Sequence, residues 1–234
     1  MQIIETTTHA EAARDVIVPM LATAILQKGE ARLLVSGGSS PEPLFGLLSD
    51  ADIDWSKVKI GLVDERIDPG NRNAKMVTGK LLTGKAAEAC FVPMIKPSPR
   101  KDAREPNTEA YREEMIPADV CILGMGTDGH TASWFPGSVD LQKVLSDSAN
   151  PLLPIVGVNT EGCEGNGGFD LRLTLTKKAV LASGNIVLFI PGGEKREVFF
   201  GDEVGEDGTE ELPAHMLREL PNVTVICDPA PAPS

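Results

Sequence analysis

Asp128 and His130 stand two residues apart inside a glycine-rich run, Gly124-Met125-Gly126-Thr127-Asp128-Gly129-His130. An imidazole beside a carboxylate is a compact means of moving a proton near neutral pH, where histidine ordinarily titrates. The glycines free the backbone to take positive φ or to approach a ligand closely. Three other stretches carry comparable chemistry. Ser36-Gly37-Gly38-Ser39-Ser40-Pro41 offers unpaired N–H groups at the start of a helix, an arrangement suited to an anion. It matches neither a Walker A sequence nor G-x-G-x-x-G, so nucleotide binding is not indicated. Asp64-Glu65-Arg66 sets three charges directly after an apolar run, as a solvated turn or a site. Pro191-Gly192-Gly193-Glu194-Lys195 brings a lysine into a glycine turn, and Arg172 alternates onto a polar face or toward a site within Leu171-Arg172-Leu173-Thr174-Leu175-Thr176.

These stretches need elements to hold them, and the apolar patterning supplies them. Residues 31–35, 58–63, 120–123, 186–190 and 223–227 read as strands, as do 91–95, 153–158 and 171–176. Helical spacing of Ala13, Val16, Ile17, Met20, Leu21, Ala24 and Ile25 follows Thr8-His9-Ala10-Glu11, which fits a capping box. Pro19 predicts a kink in that helix, Gly29 its end, and His9 a solvated first-turn residue. Ser40 suits an N-cap, with Pro41 first in a helix through Leu48. Asp68-Pro69-Gly70-Asn71 is turn chemistry, after which Asn73 caps a helix to about Leu82. Further helices are expected at 107–115, 141–145, 176–181, after Gly193 and at 214–220, the last with a structural His215. Segments 96–106 and 160–168 read as surface loops, the second mobile, and 228–234 as a frayed tail.

Strands alternating with helices predict an α/β fold: a single three-layer domain over 1–234, with a largely parallel, Rossmann-like sheet flanked by helices. The four polar loops, 36–41, 64–66, 124–130 and 192–195, then follow strand ends, where open α/β sheets place ligands.

Composition narrows the function. With 34 acidic and 22 basic residues the net charge is -12, which argues against nucleic-acid and anionic membrane surfaces but not against a small anionic substrate. Three histidines and four scattered cysteines make a metal site hard to assemble, and Cys121 and Cys227 read as buried free thiols. No signal peptide or apolar run of spanning length is visible, so a cytoplasmic protein is expected, as a monomer or small homo-oligomer.

In order along the chain, SGGSSP, VDER, LGMGTDGHTASWFPG, LRLTLT and GGEK resemble the 6-phosphogluconolactonase family, within the larger group that includes glucosamine-6-phosphate deaminases. The resemblance spans about residues 33–199. It departs at Arg72-Asn73, where the family often has Ser-Asn, and at Gly168-Phe169-Asp170-Leu171, where prolines are usual. The resemblance implies hydrolysis of a phosphorylated sugar lactone, 6-phosphoglucono-δ-lactone, to 6-phosphogluconate in the oxidative pentose phosphate pathway, without metal or cofactor. It implies that His130 takes the proton from water while Asp128 holds the imidazole tautomer or shapes the loop. Arg66, Lys195 and the Gly37–Ser40 loop would meet the phosphate, and the backbone around Gly126 the developing oxyanion. Asp64 would contact sugar hydroxyls or orient Arg66, and Arg172 would face the acidic edge of the substrate. A deaminase resembles the same signature but carries a glutamate where Phe135 stands here. The remaining alternative is a sugar-phosphate-binding regulator without catalysis.

Overall fold

A strand with no polar face must be covered on both sides, and the most apolar runs of this chain lie at the centre of the molecule. The computed structural model describes residues 1–68, 70, 72–99, 104–146, 148, 150–201 and 212–231. Its elements run β1 (Gln2–Glu5), α1 (His9–Lys28), β2 (Ala31–Val35), α2 (Glu42–Ser49), β3 (Val58–Leu62), β4 (Asp64–Arg66) and α3 (Arg72–Met76). Then come β5 (Cys90–Phe91), α4 (Thr108–Ala110), β6 (Val120–Leu123), α5 (Leu141–Leu145), β7 (Ile155–Asn159) and β8 (Leu171–Leu175). The chain closes with α6 (Lys177–Leu181), β9 (Asn185–Ile190), α7 (Gly193–Phe200) and β10 (Val223–Cys227).

The main sheet has seven strands in the order β1-β10-β9-β6-β2-β3-β5, every neighbouring pair parallel. β6 and β10 are buried at every position, and α1 packs across β2, β6, β9 and β10. This is the expected α/β architecture. From β2 the chain builds outward through β3 to β5, then returns to β6 and builds the other way through β9 to β10. β2 and β6 are therefore neighbours whose following loops diverge, the topological switch point where such sheets open a crevice. Ser36 bridges the two strand ends: its Oγ donates to Ile122 O at 3.1 Å and accepts from Gly124 N at 3.2 Å.

A second sheet, β4-β8-β7, is antiparallel and was not anticipated by a single-sheet reading. Val63 passes the chain from one sheet to the other, its N–H on Val35 O and its C=O accepting from Leu175 N. Asp64-Glu65-Arg66 is thus a paired strand rather than a solvated turn, with Asp64 and Glu65 buried. β3 outruns the two-residue β5, and the buried Tyr111 hydroxyl accepts the Leu62 N–H at 2.7 Å.

Several local expectations are corrected. Thr8 does precede α1, but its side chain makes no cap bond; its hydroxyl pairs with that of Thr6 instead, so the capping box does not form. Pro19 does fall inside α1, as expected. His9 is not solvated: it lies 3.3 Å from Asp228, which also accepts Gly192 N–H, so the first tail residue is tied down. Ser40 is not the cap of α2, which begins after Pro41. The helix expected from a cap at Asn73 starts at Arg72 and continues as a π-helical turn over Val77–Leu81. Likewise Tyr111–Met115 is π-helical, and Pro213–Leu217 forms a 3-10 turn holding the buried His215. Pro69 and Asn71 of the expected turn, 100–103 of the first surface loop and 232–234 of the tail lie outside the described residues. Among the described residues no helix is long and apolar enough to cross a membrane, and no acidic, histidine or cysteine cluster could hold a metal ion.

Candidate active site

The loop after β6 turns back on itself, Gly126 N–H bonding to His130 O at 2.9 Å. This brings Asp128 Oδ1 to 2.5 Å from His130 Nδ1. With a carboxylate as acceptor, Nδ1 carries the proton and Nε2 presents its lone pair. Phe135 stacks under the imidazole, ring centroids 4.1 Å apart, and fixes its plane. Gly126 is required by contact rather than by φ: a Cβ there would lie 2.3 Å from Asp128 Oδ1 and 2.4 Å from the His130 ring. Ala132, on the same loop, holds φ 51, a left-handed conformation that costs an alanine roughly 1 kcal/mol or more.

Across the switch point, the loop after β2 leads into α2. Among the described residues the N–H groups of Gly37, Gly38, Ser39 and Ser40 donate to no protein acceptor. Lys195, from the first turn of α7, reaches over this loop and donates to Ser40 Oγ at 2.9 Å. The hydroxyl that sequence reading assigned to capping is thus committed to the lysine. Burial holds the Lys195 pKa below the usual lysine range, partly offset by the neighbouring Glu194. Arg66, at the end of β4, completes the group. Its Nη1 bonds Asn73 Oδ1, while its Nε is buried with no acceptor. Among the described residues neither Arg66 nor Lys195 has a carboxylate within ion-pairing distance.

Behind these groups lies a buried polar network. Asp64 accepts from Ser133 Oγ at 2.7 Å and from Asn73 Nδ2 at 3.0 Å, and lies 3.6 Å from Arg172 Nη1. These donors offset the desolvation of a carboxylate that is only 5% exposed. Arg172 is equally occupied: its Nε donates to Phe169 O at 3.0 Å, another nitrogen to Asn166 O, and its guanidinium lies 4.9 Å from the Phe135 ring centroid. Burial lowers its pKa most, and Asp64 pulls it back up. Its partners belong to the glycine-rich 160–168 loop and its exit, which hydrogen bonds from Thr160 and Asn166 hold together.

Together these residues enclose a cavity of about 220 Å³ at the carboxyl end of the main sheet. The family model for glucosamine-6-phosphate isomerases/6-phosphogluconolactonase matches residues 5–226. The chain belongs to this family. It is 41% identical over 213 residues to a 6-phosphogluconolactonase of Rhizobium meliloti, covering 89% of each chain. It is 38% identical over 206 residues to one of Xylella fastidiosa, covering 87% of this chain and 84% of the relative. Among solved structures, a putative 6-phosphogluconolactonase from Neisseria gonorrhoeae superposes with a TM-score of 0.81 at 33% identity, covering 98% of this chain and all (100%) of that one. One from Shewanella baltica does so with 0.79 at 30%, covering 97% and 95%.

Of the residues singled out from sequence, Gly37, Gly38, Ser39, Ser40, Asp64, Arg66, Gly126, His130, Arg172 and Lys195 all line the cavity, and Asp128 stands behind His130. Two of them are also held by protein groups. The side-chain oxygens of Asp64 serve Asn73, Ser133 and Arg172, so its link to Arg66 runs through Asn73. Arg172 is taken up by two carbonyls and a carboxylate. Asn73 and Ser133 belong to the site and were missed; Asn73 was read as a helix cap, and nothing about Ser133 distinguishes it locally.

Proposed function

We propose that this chain hydrolyses 6-phosphoglucono-δ-lactone to 6-phosphogluconate, with His130 activating water and Arg66 and Lys195 holding the phosphate. The observation that carries the reading is the positive charge at the cavity: among the described residues, Arg66 Nε is buried without an acceptor and the Lys195 ammonium bonds only the Ser40 hydroxyl. In a chain of net charge -12, two such cations beside four free N–H groups describe a dianion site. The names of the relatives supply the lactone, and the geometry supplies a means of opening it.

His130 Nε2 takes a proton from water as its oxygen attacks the lactone carbonyl carbon. Asp128, on Nδ1, stabilises the imidazolium that forms. The carbonyl oxygen gains negative charge, and the N–H groups of Met125 and Ala132, which line the cavity without protein acceptors among the described residues, are the candidate donors to it. When the tetrahedral intermediate collapses, the ring C–O bond breaks and the leaving oxygen recovers the proton from His130. Water is consumed and no electrons change hands. The deaminase reading finds no support at Phe135, whose buried ring packs against His130 where an acid would be needed.

The test compares the phosphorylated lactone with plain gluconolactone on Arg66→Ala, Lys195→Ala and Arg66→Lys. A hydrogen bond to a charged group contributes about 1.5–3 kcal/mol, so each alanine variant should lose about ten- to more than a hundred-fold in kcat/KM for the phosphorylated substrate. Arg66→Lys should recover only part, lacking the planar fork. Equal losses on both lactones would sink the phosphate assignment.

A further inference from the structure

Asn73 is 2% exposed and spends every polar atom of its side chain on the site. Oδ1 accepts from Arg66 Nη1, and Nδ2 donates to Asp64 O at 2.9 Å and Asp64 Oδ1 at 3.0 Å. Its own N–H donates to Glu65 Oε1 at 3.0 Å, so all three residues of β4 hold it. On its other side stands the loop after β2. A Cβ built on Gly37 would lie 2.0 Å from Asn73 Oδ1, 2.2 Å from Cγ and 2.7 Å from Nδ2. Gly37 does not have positive φ, so the need for glycine there comes from the Asn73 amide and not from the backbone.

A guanidinium is rigid and planar, so anchoring Nη1 decides where Nε and the remaining N–H groups point. The group anchored here is the one whose Nε is buried without an acceptor. A single amide, with an acceptor on one atom and a donor on the other, can bind Arg66 and Asp64 at once; neither a carboxylate nor an alkyl side chain can. We propose that Asn73 is a positioning residue that aims Arg66 at the phosphate and sets how closely the Gly37–Ser40 loop closes on it. Gly37 and Asn73 then form one coupled unit joining the two halves of the anion site. This rests on the reading of Arg66 as a phosphate ligand.

The experiment is a double-mutant cycle of Asn73→Ala, Gly37→Ala and the pair, with Arg66→Ala as reference. The readout is the selectivity ratio, kcat/KM for the phosphorylated lactone over that for gluconolactone. Asn73→Ala should lower this ratio roughly tenfold or more, chiefly through KM for the phosphorylated substrate. Gly37→Ala should do comparable damage alone but add little in the Asn73→Ala background, where the atoms its methyl would strike are gone. If Asn73→Ala does not fold, Gly37→Ala paired with Arg66→Ala decides: a loss that acts through the Asn73 amide on Arg66 should add little to the weakening of competitive inhibition by inorganic phosphate once Arg66 is gone. An unchanged ratio, or losses that multiply across the cycle, overturns the inference. Should Arg66→Ala alone collapse the ratio while Asn73→Ala and Gly37→Ala leave it intact, the positioning role falls and the phosphate reading stands. Should Arg66→Ala leave it intact as well, both fall.

Discussion

His130 can act as a base only if its proton sits on the nitrogen away from the substrate, and the 2.5 Å contact with Asp128 Oδ1 decides that. His130→Ala should lower kcat by roughly 10²–10⁴-fold with KM within a few-fold, measured against the spontaneous hydrolysis of freshly prepared lactone. Near-normal kcat would leave the ring only a packing role on Phe135. Asp128→Asn should cost kcat by about 10²-fold, because an amide can face Nδ1 with its NH2 and favour the wrong tautomer. Gly126→Ala offers a separate check: a methyl 2.3 Å from Asp128 Oδ1 must displace the pair, so kcat should fall while thermal stability changes far less. The Asp128–His130 pair was legible because its members are two residues apart and the glycines between and before them mark a tight loop. Asn73 was not. Its side-chain partners lie seven and nine residues back, and asparagine near a helix start has a commoner use as a cap.

At the scale of elements, strand β4 shows why three charges in a row, though assigned to a site loop, could not be read as a paired strand. A three-residue strand has no periodicity to read, and the antiparallel partner that buries it, β8, lies about a hundred residues away in sequence. Once it is paired, Glu65 is enclosed, and its carboxylate accepts the N–H groups of Arg66, Asn73 and Ala74 at 2.8, 3.0 and 2.7 Å. It therefore caps α3 from the neighbouring strand, the task sequence reading gave to Asn73. Burial raises the Glu65 pKa above 4.5, with the three N–H bonds pulling the other way. A carboxyl whose native pKa exceeds its unfolded value keeps its proton longer when folded. Its favourable contribution is therefore complete below the unfolded pKa and disappears as pH rises through the native one. Measured by urea unfolding between pH 4 and 7, the stability of the wild type relative to Glu65→Gln should decline with rising pH. A difference that grows with pH would mean the three N–H bonds outweigh burial. The apolar strands needed no such context. Runs like Ile186-Val187-Leu188-Phe189-Ile190 are too hydrophobic for any place but a sheet covered on both faces.

At the scale of the molecule, alternation of strands and helices was enough to give the α/β class, and with it the carboxyl edge as the place for a site. What it could not give was strand order, because nothing in a parallel strand names its neighbour; the switch between β2 and β6 emerges only from the assembled sheet. Net charge, by contrast, is a property of the whole chain that sequence states outright, and it opposes the proposed substrate. On the proposed reading, Arg66 and Lys195 hold a phosphate dianion against an excess of twelve negative charges. The two fields differ in range. The Debye length shrinks from roughly 30 Å at 0.01 M to about 8 Å at 0.15 M salt, so repulsion from the distant surface is screened first. The proposed contacts to Arg66 and Lys195, at a few ångströms in a partly buried cavity, would survive. Raising chloride from about 0.01 to 0.15 M, across that span of Debye lengths, should therefore leave kcat/KM for the phosphorylated lactone level or higher, with gluconolactone flat as the neutral control. In Arg66→Ala, where repulsion meets less local opposition, the rise should be steeper. A marked fall with salt in the wild type would show that substrate is drawn in by long-range attraction, and that the positive field extends well beyond the cavity formed by these loops.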